Sequence, residues 1–431
     1  MKNKTFFCLF LMCSAFAVQI MHAQVTTTPK LYRFVFENGI NLQQLSDNGA
    51  FAVAIGQNAA DESIPAYPQL IDTKTGNITD LCTNEENLSG TAYAAMDVTN
   101  DGSMVVGSYN NSPGVWLKSS GTWVNLPKVA GYSSGGCIHA VTPDGKFAVG
   151  ECNFGQFSAY PCFWNLEDDG VLVELDGLPL LDMQNEDNDQ QRFCGISPDG
   201  NYILGSVSHS YIGPPGIFWY IYNRTTKKYQ PIGFDVTYKN GVGTWTARAE
   251  HLLFIDRAVM SADGEWVTGV AYMAEPIDGS QFYNEYRIPF RYHIATDEFT
   301  LYTGSGDLGG NSIYGNGIVL ASTPTQNPYR NWSVRNGNYW IDFDLILKQR
   351  YGLNIKTQAD FDNTGTPIAV STDGKVIASI VGGPSCENYI IILPEDILTA
   401  SDAAALRPSP LPEDRAEAPS SPPPRGRRRR V

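Results

Sequence analysis

The sequence predicts an all-β fold, a seven-bladed β-propeller with four antiparallel strands per blade and a ring closed by the N-terminal strand. Three observations predict it. A turn pattern, Ser/Thr-x-Asp-Gly followed by an apolar run, recurs seven times; strand-like segments flank the copies; and the last copy stops one strand short, while an unpartnered strand precedes the first.

In chain order the copies are LSDNGAFAVAIG (Leu45 to Gly56), VTNDGSMVVG (Val98 to Gly107), VTPDGKFAVG (Val141 to Gly150), ISPDGNYILG (Ile196 to Gly205), MSADGEWVTG (Met260 to Gly269), a degenerate IYGNGIVLAS (Ile313 to Ser322) and VSTDGKVIAS (Val370 to Ser379). The turn glycines Gly49, Gly102, Gly145, Gly200, Gly264, Gly317 and Gly374 are spaced by 53, 43, 55, 64, 53 and 57 residues, a period typical of propellers. Pro143 and Pro198 fix φ near −65° at the second turn position, which excludes mirror-image hairpin turns and selects type I. The following glycine then has to enter the left-handed region to restore the strand twist.

The second copy shows a whole blade: TAYAAMDV, SMVVGSY, PGVWLK, the turn SSG, and TWVNL. The third repeats it as CIHAV, KFAVGEC, YPCFWNL, the turn EDDG, and VLVEL. After KVIASIVG and NYIIIL the last copy lacks a fourth strand, and KLYRFVFE (Lys30 to Glu37) supplies it, removing an exposed sheet edge.

PGVWLKSSGTWVNL (Pro113 to Leu126) and YPCFWNLEDDGVLVEL (Tyr160 to Leu175), joined to the S-x-DG hairpins, resemble the bacterial extracellular propeller repeats of the HAF type, which share the WD40-like propeller architecture. YWIDFDLILKQRYGLNI (Tyr339 to Ile355) resembles a short helix found late in such arrays. The resemblance spans most of Lys30 to Leu398. It implies a fold and an extracytoplasmic setting, and it brings no catalytic residues.

Residues 1 to 23 read as a secretory signal peptide: two lysines, an apolar stretch too short for a membrane span, then small residues, with cleavage expected after Ala23 rather than Ala17. Residues 399 to 431 hold seven of the 26 prolines and end in RGRRRR, the composition of a disordered tail. With four acids and seven bases in that tail and two lysines in the leader, residues 24 to 398, the propeller, carry 41 acidic and 21 basic residues. That balance excludes nucleic acid as the partner, and no transmembrane segment is expected in the propeller.

Catalytic signatures are absent from the sequence: no HExxH, no P-loop, no GxSxG, and no two histidines at ligand spacing. A non-enzymatic protein is expected, with His139 a structural histidine on an inner strand. The residual enzymatic reading, a glycan-cleaving propeller, would use acids such as Glu250 and Asp256 meeting across the pore. No cofactor is expected beyond calcium, for which Glu186, Asp187 and Asp189 in NEDNDQ offer oxygen ligands, although the loop lacks the EF-hand glycine and closing glutamate. Of six cysteines outside the leader, Cys152 with Cys162 is the better disulfide candidate, because strand alternation turns Cys137 and Cys152 to opposite faces; buried free thiols are an equal alternative.

Variation concentrates on one side. The DG turns and the third-to-fourth-strand turns are short, whereas the remaining connections, such as GQNAADESIPAYP, AYMAEPIDGSQFYNEYRIP and STPTQNPYRNW, are long and unrepeated. Tyr67, Tyr109, Phe154, Phe157, Tyr160, Tyr211, Tyr272, Phe282, Tyr283, Tyr286, Tyr329 and Trp332 fall in them, an aromatic and small-polar mix suited to recognition. The expectation is an exported binding or adhesion module whose long-loop face takes a glycan or an envelope or host protein; the alternatives are the glycan-cleaving enzyme and a structural part of an envelope assembly.

Overall fold

A computed structural model describes residues 29–35, 41–56, 67–82, 93–131, 134–154, 158–168, 170–178, 189–209, 217–239, 242–276, 283–302, 309–315, 317–322, 331–335, 339–342, 346–347, 351–353, 366–381 and 387–396. Residues 1–23 and 399–431 lie outside them.

Strand β1 (Lys30–Val35) precedes the first repeat. Blade one comprises β2 (Asn41–Leu45), β3 (Phe51–Gly56), β4 (Tyr67–Asp72) and β5 (Ile78–Asp80); blade two, β6 (Tyr93–Val98), β7 (Met104–Tyr109), β8 (Ser112–Leu117) and β9 (Thr122–Asn125). Blade three is β10 (Gly135–Val141), β11 (Phe147–Phe154), β12 (Ser158–Asn165) and β13 (Val171–Val173); blade four, β14 (Asp189–Ile196), β15 (Tyr202–His209), β16 (Ile217–Asn223) and β17 (Lys228–Pro231). A separate hairpin, β18 (Phe234–Lys239) with β19 (Val242–Ala247), fills the longest interval between turn glycines. Blade five is β20 (Leu252–Met260), β21 (Trp266–Pro276), β22 (Tyr283–His293) and β23 (Glu298–Leu301); blade six, β24 (Gly309–Tyr314), β25 (Ile318–Ser322), β26 (Asn331–Arg335) and β27 (Tyr339–Asp342). The last unit is β28 (Thr366–Val370), β29 (Val376–Val381) and β30 (Glu387–Ile392), with β1 as its fourth strand, paired from Lys30↔Ile392 to Val35↔Glu387.

Among the described residues the strands thus form seven four-stranded antiparallel units. Each innermost strand touches the next, and β28 touches β2, so the units close into a ring. The protein is a β-propeller. Its core is divided into seven apolar clusters, one between each pair of neighbouring blades. Sheets covered on both faces explain why the second and third strands read as nearly unbroken apolar runs, IVLAS and IFWYIYN among them.

The repeated turn is held by side chains as well as by backbone. In six copies the Ser or Thr hydroxyl accepts the backbone N–H five residues on, at 2.9–3.1 Å. The same hydroxyl donates to the Asp or Asn two positions on, whose oxygen in turn accepts an N–H two residues further. All seven turn glycines have φ between 65° and 77°. A Cβ on any of them would come within 2.2–3.3 Å of the preceding blade: Val376 for Gly49, Phe51 for Gly102, Thr99 for Gly145, Phe147 for Gly200, Ser197 for Gly264, Trp266 for Gly317 and Tyr314 for Gly374.

Two sequence expectations change. The segment from Tyr339 to Ile355 is not a single helix: Tyr339–Asp342 is strand β27, paired Arg335↔Tyr339, and only residues 346–347 and 351 are helical among those described. The need for a fourth strand in blade six outweighs local helix preference there. Nor is a disulfide formed between Cys152 and Cys162. Their strands pair Cys152 with Tyr160 and Cys162 with Gly150, setting the two thiols diagonally on one buried face, and Cys82, Cys137, Cys152, Cys162 and Cys194 are all unbridged.

Gly102→Ala combines a left-handed φ with a Cβ 2.8 Å from the Phe51 ring, so it should cost about 2–5 kcal/mol. Gly121→Ala shares the φ but meets nothing within 4 Å and should cost about 1–2 kcal/mol. Urea titration of the pair isolates the inter-blade contact; equal losses would show that the glycine serves only its own turn. Removing residues 30–35 uncovers the β30 edge and should lower the unfolding midpoint and promote self-association, read by light scattering.

Candidate functional site

The seven inner strands enclose a channel with a cavity of about 100 Å³, to which every blade contributes. A β-bulge recurs in these strands: six of them shift register just before the fifth residue ahead of the turn glycine, and β20 shifts farther upstream. The bulge turns consecutive side chains toward the axis. Polar groups lining the channel are Gln44, Asp47, Asp97, His139, Cys194, Ser261 and Ser312.

Asp97 occupies the position that holds Gln44, Ala140, Gly195, Val259, Ser312 and Ala369 in the other copies. Its Oδ1 accepts the N–H of Val98 at 2.8 Å, and its Oδ2 accepts that of Val141, on the next blade, at 2.9 Å. Gln44 does half of this, accepting the N–H of Leu45 at 3.1 Å. Burial pushes the Asp97 carboxyl up to about 7 despite both amide donors. Asp47 is pushed to about 8, first by burial and then by the charges of Asp97 and Asp263. Sequence reasoning missed both; stacking the copies on their turn glycines exposes a carboxylate where the others carry small, apolar or amide side chains.

A second cluster lines the wall between blades three and four. Glu151, with 9 % of its side chain exposed, lies 2.8 Å from Arg192 Nε and 3.5 Å from His139 Nε2. His139, expected to be a structural histidine on an inner strand, is held by a carboxylate at a bulge facing the channel. Burial, followed by the Glu151 charge, raises the Cys137 thiol to about 12, and burial raises Cys194 to about 11, so neither is a thiolate nucleophile at neutral pH. The Cys162 hydrogen bond lowers the Cys152 thiol, while that contact and burial raise Cys162.

Glu250 and Asp256 do not meet across the pore, because both belong to blade five. Glu250 sits in the turn before β20 with its side chain 88 % exposed against His251, and Asp256 lies exposed in the β20 bulge beside Arg257. Burial lowers the Arg257 guanidinium, with Asp256 opposing the shift.

Of the sequence-selected aromatics, Phe157, Tyr211, Phe282 and Tyr329 fall outside the described residues. Tyr67 and Tyr283 open β4 and β22, Tyr109 and Phe154 close β7 and β11, and Tyr160, Tyr286 and Trp332 lie near the starts of their strands. These are the ends opposite the DG turns. Tyr109 stacks on Trp123 with ring centroids 6.3 Å apart, and Tyr160 packs on the cluster between blades two and three, so both serve packing. The blade-two connection is also short: Asn110 and Asn111, both at positive φ, make a two-residue hairpin closed by Tyr109↔Ser112. Tyr272 stacks on Phe254 at 4.5 Å and accepts a hydrogen bond from Arg287. The calcium candidates lie outside the described residues, apart from the backbone of Asp189 in β14. Among the described residues no three acids, histidines or cysteines are grouped to hold a metal, and no helix is long and apolar enough to cross a membrane.

No family model matches the chain, and no curated protein matches it in sequence. Solved structures are similar in fold. TolB from Acinetobacter baumannii aligns over 68 % of this chain and 62 % of its own, at 15 % identity and a TM-score of 0.38. An oligogalacturonate lyase in complex with manganese aligns over 86 % and 99 %, at 11 % identity and 0.47. The β-propeller domain of Cps50 (Swd1) from Myceliophteria thermophila aligns over 84 % and 98 %, at 9 % identity and 0.45.

The raised Asp97 pKa has a direct consequence. A carboxyl near 4 unfolded and near 7 folded stabilises the fold while protonated, and that contribution is lost as pH climbs from about 4 through 7. Asp97→Asn should flatten the unfolding-temperature profile between pH 5 and 8 relative to wild type. Parallel profiles would mean the carboxyl titrates normally.

Proposed function

We propose that the protein is an exported, non-enzymatic binding or adhesion module of the HAF-repeat type, using its loop face to engage a glycan or a protein of the envelope or host. The reading rests on one observation: the aromatic residues of the unrepeated connections stand at the strand ends opposite the DG turns, while the turns themselves are bound to one another. Thr372 donates to Asp47 O, Asn48 to Asn100, and Asn100 to Pro143 O, at 2.8–3.1 Å, which leaves that side to scaffolding. Export follows from the leader-like residues 1 to 23 and the HAF resemblance. An acidic chain, formal net charge −15, disfavours nucleic acid and other phosphate-rich ligands, and takes an acidic group only where a basic side chain meets it locally.

One observation supports a second reading, a glycan-cleaving enzyme: Asp47 and Asp97 are neighbouring channel carboxyls held near neutrality, the condition for one to act as an acid. Against it, both oxygens of Asp97 are already committed to backbone amides.

Glycan-array and envelope-protein screening separates these readings. Replacing Tyr283, Tyr286 and Trp332 together by Ala should weaken the binding found at least tenfold with little change in thermal unfolding. Unchanged binding with early unfolding would reassign those residues to packing between blades. Release of reducing ends that disappears in Asp47→Asn would establish the enzymatic reading instead.

A further inference from the structure

Blade five differs from its neighbours in height. Its second and third strands are 11 residues each, the longest in the fold as described, and the hairpin they form rises past the start of blade six. Gly309 and Gly310, which open β24, pack at the level of Thr268 to Val270. Tyr272 and the residues paired with it stand beyond that level, toward the loop face.

Across this raised wall the register places Phe254 opposite Tyr272 and Tyr272 opposite Arg287. The two rings stack at 4.5 Å and 12°, and the Arg287 guanidinium lies 5.4 Å from the Tyr272 centroid. Arg287 Nε donates to the Tyr272 hydroxyl at 2.7 Å. All three side chains are half-buried, hence reachable by solvent. The phenol holds the guanidinium by one N–H and leaves its terminal nitrogens without an acid among the described residues. Arg192 is paired with Glu151, and Arg248 with Asp235 and Asp297, whereas Arg224 and Arg291 lie over aromatic rings as Arg287 does. Arg287 differs from those two in having its guanidinium fixed by a phenol hydroxyl at the raised, loop-face end of its sheet, where its terminal nitrogens can grip a carboxylate.

We propose that Phe254, Tyr272 and Arg287 form a subsite for a carboxylate-bearing sugar residue of an acidic polysaccharide, the stacked rings offering apolar contact and the guanidinium a two-pronged grip on the carboxylate. This inference rests on the loop-face binding reading above. A sugar ring suits the site better than an acidic side chain, because the edges of the two stacked rings add apolar contact beside the charge.

The test uses the full chain and three immobilised probes: alginate, alginate with its carboxyls methyl-esterified, and poly-glutamate. Wild type should bind alginate at least tenfold more tightly than either other probe, and Arg287→Gln should reduce alginate binding to the esterified level with its unfolding temperature kept. Should Arg287→Gln unfold early, Tyr272→Phe decides: it keeps the stack, releases the guanidinium, and should weaken alginate binding several-fold without affecting the ester. Equal binding of alginate by wild type and a folded Arg287→Gln overturns the subsite, as does poly-glutamate binding as tight as alginate with the same Arg287 dependence. Binding of a neutral glycan or the ester with no preference for alginate overturns the subsite and leaves the loop-face reading standing. Binding of no glycan overturns the subsite, and the protein-ligand screen then decides the loop-face reading by itself.

Discussion

The whole ring depends on one contact made seven times: a turn glycine seated against the preceding blade. A left-handed φ alone would admit asparagine at modest cost, as Asn110 and Asn111 do in a freestanding turn. What raises the cost further is the neighbour, most severely at Gly374, Gly264, Gly200 and Gly49. Phe51 lies under Gly102, Trp266 under Gly317, and Tyr314 under Gly374, each the face of one blade bearing on the hairpin tip of the next. Blade spacing is thereby set at the DG face by backbone thickness, and the apolar clusters between sheets inherit that spacing. Val376 beneath Gly49 applies the same rule where the last blade meets the first.

Because the constraint acts at a fixed place in each copy, it was legible in the text. A recurring Asp-Gly with an apolar run, and a missing last strand matched by a lone first one, carry the architecture and the closure. The side-chain half of the turn was not read, although the Ser/Thr and Asp that build it are in the pattern itself. The hairpin β18–β19 escaped for the opposite reason: it belongs to a single interval and has no counterpart in the other copies, while at Tyr339–Asp342 the likeness to a late helix masked the fourth strand that the repeat calls for.

The channel was least legible. Its lining is decided by bulges, and a bulge leaves no residue signature when its occupants run from Gln43 through Met96, His139 and Cys194 to Ile368. Register then chooses which side chains reach the axis, so Asp97 looks like any strand acid until the copies are stacked. What the local pattern around His139 does not show is its carboxylate partner Glu151, which sits across the strand pair, and the arginine beyond it on another blade. Loop-face aromatics fared differently. Their strand-end positions follow from the repeat, yet whether a given ring is left to solvent or lies on a neighbour, as Tyr109 lies on Trp123, depends on connections that vary blade by blade.

The pairing of Lys30 with Ile392 sets the order in which such a ring can assemble. Every other sheet is built from hairpins and connections within about sixty residues, so those blades form from what lies beside them. The seventh must bring together segments about 360 residues apart. Loop-closure entropy grows only logarithmically, and the added cost over a single-blade loop is about 1.5–2 kcal/mol, small beside a sheet's worth of burial. The kinetic consequence is larger, since β30 has to wait with an open edge until the first strand returns. A chain that emerges N-terminus first would therefore hold its closing strand idle until almost all of it is out, and the last blade would be the final one to form.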